Sequence, residues 1–181
     1  VAISTGNHGK GVAYAAKKLG ISATIFMSKL VPKDRLNSIK KLGANVKVVG
    51  NTSDEAEVEA NNYIKKTNKV MVHPFDDPYV IAGQGTIGLE MLEQFPTLDT
   101  VIVPTSGGGL IGGIAIAIKH HKPKTKIIAV SMKNGASMYQ SLKKGNPVDV
   151  LERKTLADSL GGSIGMHNKH TFKILQKYID D

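Results

Sequence analysis

The stretch TVIVPTSGGGLIGG, residues 100–113, places a glycine cluster between a β-type run and a helical run. Residues 100–103 are rich in β-branched side chains, which predicts a strand, and the apolar pattern from about 110 to 120 predicts a helix. Glycines allow a ligand to approach the backbone closely, and the N–H groups that open a helix favour an anion. Because packing alone seldom requires three adjacent glycines, we predict a phosphate site at residues 106–110.

The rest of the chain shows the same alternation of strand and helix. Helical patterns cover about residues 9–19, 32–43, 53–66, 79–94, 137–144 and 169–179. Further β-type runs cover residues 23–27, 46–49, 70–72 and 126–130. Strands separated by helices form parallel sheets, so the predicted fold class is α/β.

Residues 73–78, HPFDDP, interrupt this pattern and predict a crossing between two lobes. We place a small α/β lobe at 1–72 and a partial large α/β lobe at 73–181. A ligand is expected in the cleft between them. The last helix is predicted to end with the chain, and no closing strand is expected after it.

Composition excludes several classes of function. The chain of 181 residues has no cysteine, which rules out disulfides and thiolate chemistry and fits a reducing compartment such as the cytoplasm. Its net charge of +9 comes from lysines scattered in pairs, and only 5% of its residues are aromatic, so no nucleic-acid partner is expected. Its apolar runs are too short to span a bilayer, and we expect no membrane partner.

The six histidines show no zinc-ligand spacing, so no metal site is expected. Gly107, Gly109 and Gly112 fit the dinucleotide spacing G-x-G-x-x-G, but the next β-type run ends at Ser131 without the carboxylate that would hold a ribose. An NAD(P)-dependent oxidoreductase and a non-catalytic phosphate-ligand binding module are the alternatives from other classes.

A second turn before a helix occurs at residues 4–8, STGNH. Small polar side chains and N–H groups at the start of a helix stabilise an anionic ligand group. Taken alone, the same residues favour a capped helix with a glycine turn over a ligand site.

Three segments together resemble the fold-type II pyridoxal-phosphate enzymes of the threonine dehydratase and serine racemase family. Residues 4–8 resemble the asparagine loop of that family, residues 74–86 its inter-lobe segment, and residues 106–110 its glycine-rich phosphate loop. Residues 157–165 are most similar to the branch of hydroxyectoine-utilisation dehydratases. The resemblance implies a two-lobe parallel-sheet architecture that is incomplete at both ends of this chain.

The resemblance also implies roles for individual residues, with pyridoxal 5'-phosphate as the cofactor. Asn7 would bind the phenolic oxygen of the ring, and the glycine loop would bind the phosphate. The residues that would bind the cofactor are Asn7, Ser106, Gly107, Gly108, Gly109, Leu110 and Ser159. The residues that would bind the substrate carboxylate are Ser4, Thr5, Gly6 and His8.

The implied reaction is β-elimination, as in a dehydratase or ammonia-lyase, on a hydroxy amino acid or a related hydroxylated amino compound. Racemisation is the alternative, although racemases carry a serine where this chain has Thr5. Ser131 replaces a glutamate that helps bind a cation in relatives, which also speaks against a metal. The Schiff-base lysine is expected upstream, so no catalytic residue is assigned and the chain alone is expected to be inactive. The full-length protein is expected to be a homodimer.

Overall fold

The computed structural model describes residues 1–4, 6–151 and 155–181. The chain divides into two compact units, Val1–Pro74 and Phe75–Asp181. The boundary predicted from the sequence, after Val72, lies two residues before this division. Thr5 lies outside the described residues.

Unit 1, Val1–Pro74, contains a parallel sheet of three strands in the order β1-β2-β3. The strands are β1 (Ala2–Ile3), β2 (Thr24–Met27) and β3 (Asn45–Val48). They alternate with the helices α1 (Asn7–Leu19), α2 (Lys33–Lys41) and α3 (Ser53–Thr67). The predicted α/β class with parallel strands is confirmed.

Strand β2 is the centre of this sheet and is buried along its whole length. Ile25 and Met27 pack in one hydrophobic cluster, which includes Ile39 of α2 and alanines of α1. Phe26, which points to the opposite face, packs in a second cluster with Ala56 and Ala60 of α3. Helices therefore cover both faces of the sheet, as a buried parallel sheet requires.

The run at residues 70–72, predicted as a strand, does not form one. It still lies beside β1, because the Val72 N–H donates to the Val1 carbonyl at 2.8 Å. The amino group of Val1 donates to the Val70 carbonyl, also at 2.8 Å. Strand β1 is only two residues long, so it provides too few ladder bonds to define a neighbouring strand.

Unit 2, Phe75–Asp181, is also α/β. Its strands β4 (Thr100–Pro104) and β5 (Lys126–Val130) pair in parallel, with Thr100 opposite Lys126. Its helices are α4 (Pro78–Gln94), α5 (Gly109–His121), α6 (Ser137–Lys144) and α7 (Thr171–Tyr178), with a short 3-10 helix at Asp158–Leu160. The core of this unit includes Val101, Val103, Ile111, Ile118, Ile127 and Leu175.

Helices α4 and α5 pack at very close range through glycines. A β-carbon at Gly113 would overlap the carbonyl oxygen of Ile81 and would lie 2.6 Å from the Gly85 nitrogen. A β-carbon at Gly88 would lie 3.0 Å from the Ile114 carbonyl oxygen. The two backbones can approach this closely only because these positions carry no side chain.

After α7, where no strand was predicted, two residues already pair with β5. The Asp180 N–H donates to the Ile127 carbonyl at 3.0 Å, and the Ala129 N–H donates to the Asp181 carbonyl at 2.6 Å. The Asp180 carboxylate also forms an ion pair with Lys119 at 2.7 Å. The last two residues thus lie hydrogen-bonded beside β5 without forming a strand.

Candidate functional site

The glycine loop, residues 106–110, leads directly into α5. Gly108 is the N-cap, and the N–H groups of residues 107–111 have no acceptor among the residues that the structure describes. The first turn of α5 carries no acidic side chain, and its last turn carries Lys119, His120 and His121. Free donors at the positive end of a helix provide a site for an anion such as a phosphate group.

Each of the three glycines in the loop also has a packing or conformational role. A β-carbon at Gly107 would overlap the Phe75 ring, and one at Gly109 would lie 2.8 Å from the Phe75 Cα. Gly108 has φ +88°, and a β-carbon there would lie 2.9 Å from Met138 and 3.0 Å from Thr171. The expectation that packing seldom requires three adjacent glycines is therefore wrong here. The free N–H groups, rather than the number of glycines, support an anion site.

Ser106 connects the glycine loop to the loop that follows Ser159. Its hydroxyl donates to the Gly161 carbonyl at 3.2 Å. Ser159 lies in the 3-10 helix Asp158–Leu160 and is exposed. The structure thus joins the glycine loop to Gly161, two residues after Ser159.

Asp76 caps the start of α7. Its carboxylate accepts hydrogen bonds from the N–H groups of Lys169, His170 and Thr171, at 2.6, 2.9 and 2.9 Å. Burial by itself would raise the pKa of Asp76, but these backbone hydrogen bonds and the nearby His170 hold the pKa below its usual value. The helix begins at Thr171 rather than at the predicted residue 169, because Asp76 binds these three N–H groups.

In unit 1, Ser4 organises the asparagine loop, residues 4–8. Its buried Oγ accepts hydrogen bonds from the N–H groups of Gly6 at 2.9 Å and Gly9 at 2.8 Å. The predicted helix start at residue 9 is wrong, since α1 begins at Asn7. The Ser4 Oγ accepts from the N-cap residue Gly6 and from Gly9, the third residue of the helix, so the first turn is held by a residue that precedes it.

Asn7 and His8 occupy different environments in the first turn of α1. The side chain of Asn7 is exposed and available to a ligand. His8 is half-buried, and its Nε2 lies 2.9 Å from the Val72 carbonyl oxygen. Because a carbonyl can only accept, Nε2 carries the hydrogen and donates it. Burial lowers the pKa of His8, although the bond to Val72 acts in the opposite direction.

Arg35 is a further residue beside the asparagine loop, and the sequence pattern did not identify it. It lies in α2 and is half-buried. A β-carbon at Gly6 would lie 3.5 Å from the Arg35 Cδ. Only a tertiary contact identifies this residue, because it lies almost thirty positions after the loop.

Among the described residues, no group of three or more histidine, aspartate or glutamate side chains could hold a metal ion. An apolar cavity of about 440 Å³ lies between α4, α5 and α7. Its lining includes Ile81, Leu89, Ile116 and His120, but none of the predicted site residues. In the described part of the chain, no helix is both long enough and apolar enough to cross a membrane.

Fold and site together define a parallel α/β protein with an anion site where a glycine loop opens a helix. The family model described as "Pyridoxal-phosphate dependent enzyme" matches residues 1–181, and the chain belongs to this family. The resemblance recognised from the three sequence segments is therefore confirmed, and so is pyridoxal phosphate as the cofactor of the family.

Relatives of two kinds are similar to this chain. The L-threonine ammonia-lyase of Thermotoga maritima is 45% identical over 181 residues, which cover 100% of this chain and 45% of the relative. The processed form of threonine deaminase isoform 2 from Solanum lycopersicum is 39% identical, with a TM-score of 0.89 over 99% of this chain and 52% of that one. Maize serine racemase is 35% identical, with a TM-score of 0.91 over 99% of this chain and 54% of that one. The chain spans about half the length of these relatives.

Proposed function

We propose that the protein to which this chain belongs uses pyridoxal 5'-phosphate to catalyse β-elimination from a hydroxy amino acid. The overall reaction would convert that amino acid into a 2-oxo acid and ammonia. The row of free N–H groups at residues 107–111 carries the proposal, because it fits the phosphate of this cofactor. The names of the similar ammonia-lyase and threonine deaminase support the reaction class.

The glycine loop fits a phosphate in three respects. Its free N–H groups can donate to several oxygens, the helix end adds a favourable partial charge, and the first turn of α5 has no carboxylate to repel the ligand. We propose that Ser106, Gly107, Gly108, Gly109 and Leu110 hold the phosphate through their main chain. The hydroxyl of Ser106 already donates to Gly161 and would support the loop.

Pyridoxal phosphate supplies an electron sink for the pair of electrons left when a bond to the substrate α-carbon breaks. We propose that the exposed amide of Asn7 donates to the ring oxygen, as the family resemblance implies, and that Ser159 lies near the ring. The residues of this chain would thus bind and orient the cofactor. We assign none of them as catalytic.

The proposed contacts to the substrate carboxylate divide between side chain and main chain. The Oγ of Ser4 accepts hydrogen bonds from two N–H groups, and its own O–H can still donate to the substrate carboxylate. In neutral His8, Nε2 donates to Val72, so the remaining Nδ1 can only accept and cannot bind a carboxylate. We therefore propose that His8 contributes its backbone N–H, while the N–H of Gly6 already donates to the Ser4 Oγ and supports the loop.

Ligand binding tests the proposed cofactor. A thermal-shift series with pyridoxal phosphate, pyridoxal, inorganic phosphate and a nicotinamide dinucleotide should show the largest rise in Tm with pyridoxal phosphate. Stabilisation by the dinucleotide alone would overturn the proposal. Stabilisation by inorganic phosphate equal to that by pyridoxal phosphate would instead favour a non-catalytic phosphate-binding module.

Product analysis tests the reaction. The protein to which this chain belongs should release a 2-oxo acid and ammonia in equal amounts from L-threonine or L-serine. Racemisation is the second candidate, because maize serine racemase has a TM-score of 0.91 to this chain. Formation of D-serine from L-serine without a 2-oxo acid would favour the racemase. A related hydroxylated amino compound, hydroxyectoine among them, belongs in the same substrate panel.

A further inference from the structure

We infer that Phe75 and Asp76 are positioning residues for the phosphate site, holding the glycine loop from two sides. This inference rests on the proposed binding of pyridoxal phosphate. The first observation is that Asp76 caps a helix far along the chain. The adjacent Asp77 caps α4, accepting hydrogen bonds from the N–H groups of Tyr79 at 2.8 Å and Val80 at 3.0 Å. Asp76 instead reaches N–H groups 93 to 95 residues away.

The helix that Asp76 caps forms one side of the glycine loop. Thr171 and Leu175 of α7 are 0% and 1% exposed. A β-carbon at Gly108 would lie 3.0 Å from Thr171 and 3.3 Å from Leu175, and one at Gly112 would lie 3.3 Å from Ile174. A shift of α7 would therefore press on the loop or leave a gap beside Gly108.

Phe75 forms the other side. Its ring occupies the space that a side chain at Gly107 would need, and its backbone fills the corresponding space at Gly109. Gly108, between them, faces Met138 of α6 and Thr171 and Leu175 of α7 instead. The loop is therefore enclosed between Phe75 on one side and α7 on the other. Phe75 forms the first side itself, and the next residue, Asp76, holds the start of α7.

This enclosure determines where the free N–H groups of residues 107–111 point. Several N–H groups bind a phosphate together only when their directions converge, so small rotations of the loop weaken the site. Neither Phe75 nor Asp76 needs to touch the ligand for this effect. Loss of the Asp76 cap should reduce the contribution of the phosphate group to binding, more than it affects binding of the ring.

The test compares pyridoxal phosphate with pyridoxal, which has the same pyridine ring but a hydroxyl in place of the phosphate. Titration gives a Kd for each ligand. The Kd of pyridoxal divided by the Kd of pyridoxal phosphate measures how much the phosphate contributes to binding. We expect Asp76→Ala to reduce this ratio by about tenfold, equivalent to the loss of one good interaction. Asp76→Asn should show a smaller reduction, because one amide oxygen can still accept from His170 and Thr171.

Asp77→Ala is the matched control. It removes a neighbouring aspartate that caps a different helix, so it should leave the Kd ratio unchanged. Circular dichroism checks that each variant is folded, and Asp76→Asn serves as the readout if Asp76→Ala does not fold. If folded Asp76 variants have the same Kd ratio as the unmodified protein, the inference is overturned and the proposed function is not affected. An unmodified protein that binds both ligands equally would overturn the proposed function and the inference with it.

Discussion

Asp76 and Asp77 show how far two adjacent residues of the same type can differ in role. Asp77 caps α4 within its own turn, while Asp76 caps α7 almost a hundred residues later. The local role can be predicted from an aspartate that precedes a proline at the start of a helix. The long-range role requires the fold.

Because of the Asp76 cap, the free energy of unfolding should depend on pH in the acidic range. The pKa of Asp76 is lower in the folded chain than in the unfolded chain, so its contribution is fully present above the ordinary value of about 3.9. That contribution is lost as the pH falls through the lower pKa of the folded state. Urea unfolding at pH 5, 4 and 3 should show a steeper loss for the unmodified protein than for Asp76→Asn. Equal slopes for the two proteins would contradict the assignment.

His8 should give a second pH dependence, at higher pH. Its pKa is lowered by burial, so it contributes stability that is present above its ordinary pKa of about 6.5 and lost as the pH falls towards the folded value. The free energy of unfolding should therefore fall between pH 7.5 and 5.5, and His8→Gln should show a flatter dependence. His167→Gln, at an exposed position, is the control and should keep the original slope.

At the scale of elements, glycine determines how closely α4 and α5 pack. The contacts of Gly113 are with main-chain atoms of α4, namely the Ile81 oxygen and the Gly85 nitrogen. Main-chain atoms cannot move aside as the end of a flexible side chain can. The helix pair therefore depends on these glycines for its interaxial distance.

Gly113→Ala should accordingly destabilise the protein by about 1–3 kcal/mol, measured by urea unfolding, because its methyl group overpacks the helix contact. Gly83→Ala is the matched control in α4. A β-carbon at Gly83 would meet nothing within 4 Å. Because alanine favours a helix over glycine, Gly83→Ala should stabilise by about 0.5–1 kcal/mol. Similar losses for both substitutions would show that the close contact does not limit packing.

At the scale of the whole molecule, each unit has its own hydrophobic core. Ile25 belongs to the core of unit 1 and Ile118 to that of unit 2, and both are 0% exposed. A separate core allows separate local unfolding, which hydrogen exchange detects.

Ile25→Ala and Ile118→Ala should each cost about 2–5 kcal/mol within the unit that contains the residue. In hydrogen exchange, Ile25→Ala should speed exchange in β2 and β3, while Ile118→Ala should speed it in β4 and β5. Equal acceleration in both units by either variant would contradict the two-core description.

Much of the fold could be predicted from local pattern. Within the described part of the chain, the strand and helix periods, together with glycine and proline turns, were enough to predict every α-helix and every strand except β1, while the 3-10 helix Asp158–Leu160 was missed. The errors lie at element ends and at residues 70–72. They arise because Ser4 and Asp76 supply caps from outside the periodic pattern, and because a strand needs a partner long enough to pair with.

The candidate site was predictable as two turns before helices, and the assignment of single residues to cofactor and substrate remains a prediction. The supporting residues Phe75, Asp76 and Arg35 were missed, because no local signal distinguishes them. Their contacts with Gly107, α7 and Gly6 exist only after folding.

The sequence by itself determined the alternation of strands and helices, the parallel α/β class and the position of the glycine loop before α5, because these depend on periodicity and turn residues over short distances. Only the tertiary structure decided why the loop needs its glycines, what Asp76 holds and which nitrogen of His8 donates. The physical reason is that these features depend on contacts between residues distant along the chain, from Phe75–Gly107 through His8–Val72, 64 positions apart, to Asp76–Thr171, 95 positions apart.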